Sequence, residues 1–181
     1  MSLNSWIVLL RGINVGGNNI LPMKKLSEML LGLDCQNIQT YIQSGNVLLQ
    51  HGETNKQILS QQISEKIAQD FGFKPQILLL TLAQFEQAAI NNPYYEAQSS
   101  PKTLHLFFLA ENALHADLDS LTALKKDSES FVLKDQVFYL HAPDGIGRSK
   151  LAEKVERHLG VPITARNWNT VSKLLALAKG K

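Results

Sequence analysis

Polar segments at several points of the chain carry residue types that bind anions. Arg11-Gly12-Ile13-Asn14-Val15-Gly16-Gly17 follows an apolar run. Its glycines permit positive φ and close backbone approach, so the loop could cradle a phosphate with Arg11 as a bidentate partner. It has neither the Lys-Ser/Thr pair of a P-loop nor the spacing of a dinucleotide fingerprint. The competing reading is a tight strand-to-helix connection in which Arg11 makes a structural salt bridge. Gln43-Ser44-Gly45-Asn46 reads first as a hairpin turn, because Gly and Asn tolerate the backbone angles a turn needs. A turn after the second strand is also placed to approach the loop after the first.

The C-terminal segments are the more basic. In Gly145-Ile146-Gly147-Arg148-Ser149-Lys150, Ser149 is a candidate helix cap with Arg148 and Lys150 beside it. Cations at a helix start oppose its dipole, at a cost of up to about 1 kcal/mol when exposed, a placement that makes sense if an anion occupies the site. A solvated turn is the alternative. In Arg166-Asn167-Trp168-Asn169-Thr170, Asn167 can cap a terminal helix. Arg166 and Asn169 could then clamp, and Trp168 stack on, a ring or base. Equally, Trp168 could anchor that helix to the core with Arg166 lying along it.

Other chemistries lack their residues. His51, His105, His115, His141 and His158 show no metal-ligand spacing, so no metal site and no cofactor is expected. There is no GxSxG elbow, and none of the polar segments contains a carboxylate to serve as a general base. Asp144 adjoins one of them, and with His141 and Tyr41 it is a candidate base if a reaction occurs. His105, His141 and Tyr139 alternate along predicted strands and are expected to share a sheet face as packing residues. Cys35 is the only cysteine, which excludes an intrachain disulfide and suits a reducing compartment.

Charge is unevenly distributed. Arg148 to Lys181 holds eight Lys or Arg against Glu153 and Glu156, a net +6, so residues 1–147 carry −4 of the overall +2. That total is too small to advertise general nucleic-acid binding, but the asymmetry is an electrostatic signal. Hydrophobic content of 44% and charge of 19% describe an ordinary globular chain. No apolar run approaches the roughly 20 residues of a membrane span, and the N-terminal run Trp6–Leu10 is cut by Arg11. A cytoplasmic protein with no membrane association is expected, and its oligomeric state is left open.

The elements that must hold these segments follow from periodicity. Trp6–Leu10 predicts a buried strand. A helix starting at Pro22 turns Leu26, Leu30 and Leu33 inward. Ile38–Gln43 and Asn46–Gln50 predict strands joined by a two-residue loop, Ser44-Gly45. Asn55–Asp70 is helical, with Leu59, Ile63 and Ile67 at i, i+4 spacing, and Gln76–Leu80 is a strand. This β-α-β-β-α-β order is that of a ferredoxin-like unit. After a helix at Leu82–Ile90 and a polar linker, the order repeats: strand Leu104–Leu109, helix Ala116–Lys126, a hairpin around Lys134-Asp135, helix Ser149–Leu159, a short Ile163-Thr164 extension and a terminal helix. The expected architecture is α+β, two ferredoxin-like (βαββαβ) halves in tandem with a C-terminal helix, divided as 1–98 and 99–181.

Leu9–Gly17, Thr40–Val47, Asn92-Pro93, Gly147–Lys150 and Thr164–Val171 together resemble, in order and over nearly the whole chain, the signature blocks of the mostly bacterial family known as domain of unknown function 1697. The residues matching that pattern are Arg11, Gly12, Asn14, Gly16, Gly17, Gln43, Ser44, Gly45, Asn46, Arg148, Ser149, Arg166, Asn167, Trp168 and Thr170. The resemblance implies a small soluble α+β protein and brings no established activity, substrate or cofactor.

The functional expectation is a binding protein with a cleft between its halves, taking a phosphate-bearing small molecule or nucleic acid. Arg11, Arg148, Lys150 and Arg166 would hold phosphates, Trp168 would stack, and Asn14, Asn46 and Asn169 would read polar edges. Gly12, Gly16, Gly17, Gln43, Ser44, Ser149 and Asn167 would complete the site. The alternatives are an enzyme acting on a phosphorylated small molecule and a protein-interaction module with no small ligand.

Overall fold

The apolar run at the N-terminus becomes β1 (Asn4–Arg11), the central strand of an antiparallel sheet. In the computed structural model, which describes residues 3–180, it is followed by α1 (Met23–Leu31), β2 (Gln36–Tyr41), β3 (Asn46–His51), α2 (Lys56–Phe71), β4 (Gln76–Thr81) and α3 (Leu82–Ile90). The strands are ordered β2-β3-β1-β4. Trp6, Val8 and Leu10 meet Leu26 and Leu30 of α1 and Leu59, Ile63 and Ile67 of α2 in one core. Ile7 and Leu9 on the opposite face are also buried. Burial on both faces is why β1 reads as a continuous apolar run instead of an alternation. Asn55 caps α2 by accepting from the Gln57 and Ile58 amides, and Gly72, at φ 78°, ends it.

The same plan recurs in β5 (Leu104–Leu109), α4 (Leu118–Leu124), β6 (Ser130–Lys134), β7 (Val137–His141), α5 (Lys150–Leu159) and β8 (Ile163–Asn167), with strand order β6-β7-β5-β8. Phe107, Leu109, Phe138 and Leu140 face Leu151, Val155 and Leu159 of α5. Phe107 and Phe138 meet edge to face with ring centres 5.7 Å apart. The chain closes with α6 (Trp168–Ala178). The protein is thus α+β, with two four-stranded antiparallel sheets, each of βαββαβ plan, and a C-terminal helix. By internal contacts the chain forms two units: one runs to Gln87 and resumes at Leu174, and the other spans Ala88–Lys173.

Several local expectations are corrected. The turn between β2 and β3 has four residues, Ile42–Gly45, not two, because the pairing already ends at Tyr41↔Asn46. Pro22 lies outside α1, in an extended conformation. The second hairpin turns at Asp135-Gln136, with Asp135 at φ 53°. The extension expected at Ile163-Thr164 runs on to Asn167 as β8, paired residue by residue with β5, and the helix starts at Trp168. The polar stretch after α3 contains a 3₁₀ turn, Tyr95–Ser99. His105 pairs with Leu140, whereas Tyr139 and His141 pair with Leu106 and Leu104. Cross-strand partners share a face, so His105 lies on the α5 side and Tyr139 and His141 on the other. An odd offset along β5 and β7, invisible without the register, separates them.

Candidate functional site

In the first unit, antiparallel pairing brings the C-terminal end of β1, the β2–β3 turn and the start of β4 to one end of the sheet. Arg11 donates to the Gln76 side chain there at 3.2 Å. Asn14, at φ 53°, ties the loops together. Its amide donates to Leu21 O at 2.9 Å and to Gln43 O at 2.8 Å, and its oxygen accepts from the Leu21 amide at 2.7 Å. Asn19, also left-handed, donates to Gly12 O at 2.9 Å. Gly16 and Gly17, both at positive φ, form the tip of a small turn closed by Asn18 N–H to Val15 O.

The β2–β3 turn is equally occupied with itself. Asn46 is fully buried, and its amide donates to Tyr41 O at 3.1 Å and to Ser44 Oγ at 2.9 Å. The Leu10 amide donates to Gly45 O at 2.8 Å. A Cβ on Gly45 would sit 2.7 Å from the Leu10 Cβ and 2.8 Å from the Ile13 Cδ1, so only glycine fits. The spatial link anticipated between the Arg11 loop and the Ser44 turn is therefore present, made by Asn14 and Gly45. The sequence reading missed Asn19, Gln76 and Ile42; the run of asparagines in the loop was the available signal for the first.

In the second unit, β7 and β8 both end where β5 begins, as the pairings Leu104↔His141 and His105↔Asn167 show. The segments leading to α5 and α6 leave from that one end. Ser149 is buried and caps α5, its Oγ accepting from the Ala152 amide at 3.0 Å. Arg148 and Lys150 on either side are exposed, over an open surface hollow of about 360 Å³ lined by residues 146–150, Ala152 and Glu153. Glu153 is turned to Lys154 at 2.8 Å. That hydrogen bond and the Lys154 charge, with a smaller contribution from Lys150, hold its carboxyl below the usual range. Asn167 caps α6 by accepting from the Thr170 amide at 3.1 Å, and the Trp168 amide donates to Pro101 O at 3.2 Å.

Arg166, beside Leu106 on the face opposite α5, is half-buried and donates to Ala165 O at 2.8 Å. Burial pushes its pKa down to about 10, which still leaves it charged at neutral pH. Asn169 is half-buried in the first turn of α6. Of the candidate bases, Asp144 accepts from Ser128 Oγ at 2.6 Å, and His141 lies against the Tyr94 ring at 5.9 Å. Cys35 is buried and its thiol is pushed up to about 11, chiefly by burial and then by Asp34, which makes it a poor nucleophile. Among the described residues no three His, Cys, Asp or Glu are gathered to hold a metal ion, and no helix is long and apolar enough to cross a membrane.

The family model described as protein of unknown function, DUF1697, matches residues 3–139. The chain belongs to that family. The fold is similar to that of the conserved bacterial protein SP0830 from Streptococcus pneumoniae, with a TM-score of 0.66 and 26% identity, covering 96% of this chain and 97% of that one. No curated protein matches the chain. The DUF1697 match contains the Arg11 loop and the Ser44 turn but ends before Arg148 and Arg166, so the basic helix starts lie outside it.

Proposed function

We propose that this DUF1697 protein binds a phosphate-bearing ligand, a nucleotide or a short nucleic-acid segment, at the helix starts of its second unit. The observation that carries this reading is the pair of exposed cations, Arg148 and Lys150, flanking the buried cap Ser149 at the start of α5. Uncapped N–H groups of a first helical turn and the positive end of its dipole favour an anion, and the two cations add to that field. Trp168 and Arg166, at the start of α6 and the end of β8, leave the same end of the sheet and supply a ring and a further cation. In the first unit the amides of Asn14 and Asn46 are engaged in building their loops, so the reading rests on the second.

The test is a thermal-shift panel of nucleotides, sugar phosphates and short oligonucleotides at low salt. A ligand binding only the folded state at a hundred times its dissociation constant stabilises by about 2.7 kcal/mol. The expected result is a shift that shrinks as salt is raised. A panel with no shift at low salt would overturn the reading.

A further inference from the structure

Three aliphatic side chains stand out in solvent at the β1 end of the first unit: Val15, Ile20 and Ile42, exposed at 65%, 56% and 49%. Each is the immediate neighbour in sequence of a residue joined by the Asn14 hydrogen bonds, namely Asn14 itself, Leu21 and Gln43. The three residues therefore stand on loop segments that Asn14 ties to one another. A single exposed aliphatic is ordinary, but three on segments tied to one another point to a contact surface. Ile42 adds an independent sign. It sits at φ 48°, a left-handed conformation that a β-branched residue rarely adopts and that Asn or Gly would occupy without strain. Backbone strain retained at an exposed side chain points to a use for that side chain.

The segments that carry the tips hold charge of one sign. Residues 11–27 contain Arg11, Lys24 and Lys25 and no carboxylate, and residues 36–52 contain no acid either. Lys24 and Lys25 are exposed in the first turn of α1, where they oppose its dipole. The turn and loop offer aliphatic side chains and no exposed aromatic ring; Tyr41 is half-buried. Nucleic-acid surfaces rely on aromatic stacking, whereas aliphatic tips bury against apolar side chains.

We infer that this loop cluster is a docking surface for a protein segment that presents apolar side chains flanked by carboxylates. Val15, Ile20 and Ile42 form the apolar centre, and Arg11, Lys24 and Lys25 form the rim that sets charge preference and association rate. The surface belongs to the first unit, and its use does not depend on the phosphate reading.

The experiment is selection of a random displayed dodecapeptide library on the intact protein, followed by fluorescence-anisotropy titration of the recovered peptides. The expected consensus is apolar with Asp or Glu. Binding should weaken at least tenfold in Val15→Ser/Ile20→Ser and several-fold, in a salt-dependent way, in Lys24→Gln/Lys25→Gln. Ile42→Asn guards against misfolding as an explanation: it should raise the thermal midpoint by relieving strain and still weaken peptide binding. Recovery of no peptide above background, or of peptides indifferent to these changes, overturns the inference. So does a wild-type dimer that Val15→Ser/Ile20→Ser converts to monomer in sedimentation, since the occupant is then a second copy. Binding of a labelled oligothymidylate lost in the same variant would likewise replace protein with nucleic acid.

Discussion

Gly45 sits at φ 83° and the place a Cβ would take is already filled by Leu10 and Ile13, so two separate penalties apply to any larger residue. Gly45→Ala combines left-handed strain with overpacking and should cost about 2–4 kcal/mol, read from the midpoint of urea unfolding. A change below about 0.5 kcal/mol would mean that the turn relaxes freely. His105 gives a pH signature. It is buried on the α5 side of the second sheet, and burial holds its pKa below the ordinary 6.5, partly offset by a hydrogen bond with the Thr103 backbone. The unfolded chain takes up a proton near pH 6.5 that the folded chain resists. The residue's effect on stability is therefore most favourable above that pH and worsens as the pH falls through it. Unfolding midpoints measured from pH 7.5 to pH 5 should fall more steeply for the wild type than for His105→Leu. Parallel curves would show that His105 titrates normally in the fold.

Helix ends are the elements on which the phosphate reading stands. Ser149→Ala removes the cap bond to Ala152 and should cost about 1 kcal/mol in unfolding free energy. If stability is unchanged, Ser149 is not the cap in solution and the start of α5 lies elsewhere. This element was legible in the sequence because a cap at Ser149 and the stripe Leu151, Val155 and Leu159 at i, i+4 spacing agree. So were α2, from Asn55 to Gly72, and β5, whose apolar run matches its boundaries. The misread places share a physical cause: pairing overrode local preference. The extension expected at Ile163-Thr164 looks complete before Ala165, yet edge pairing to β5 carries the strand on to Asn167. Ile42 and Gln43 look like strand residues, yet the contact of Gly45 with Leu10 fixes an earlier turn and leaves Ile42 in a conformation no propensity would assign it. At the candidate site, the residue types were readable but their hydrogen-bond partners were not. Whether Asn14 faces a ligand or ties loops depends on carbonyls 7 and 29 residues away.

At the scale of the molecule, the chain builds the same βαββαβ plan twice from sequences with no visible repeat, so what the halves share is pattern and not identity. Residues 174–180 belong with the first unit, where Leu177 and Ala178 line a small pocket with Ser5, Ile7, Leu48 and Gln50, and Lys179 approaches Glu86 at 3.6 Å. Leu174 is fully buried. Truncation after Lys173 should therefore destabilise the first unit by about 2–3 kcal/mol and speed hydrogen exchange in β1 and β3. Unchanged exchange there would detach the tail from that unit. The charge asymmetry seen in the sequence takes a definite place at this scale, with exposed cations at the start of α5 and a half-buried arginine at the end of β8. The most direct test of the phosphate reading is isothermal titration of ADP and of a 5′-phosphorylated hexanucleotide at low salt, into the wild type and into Arg148→Ala/Lys150→Ala. The substituted residues are exposed, so the fold should persist. Saturable binding of at least one probe by the wild type, weakened tenfold or more in the variant, is the predicted result. No binding of either probe, or equal affinity for both proteins, would contradict it.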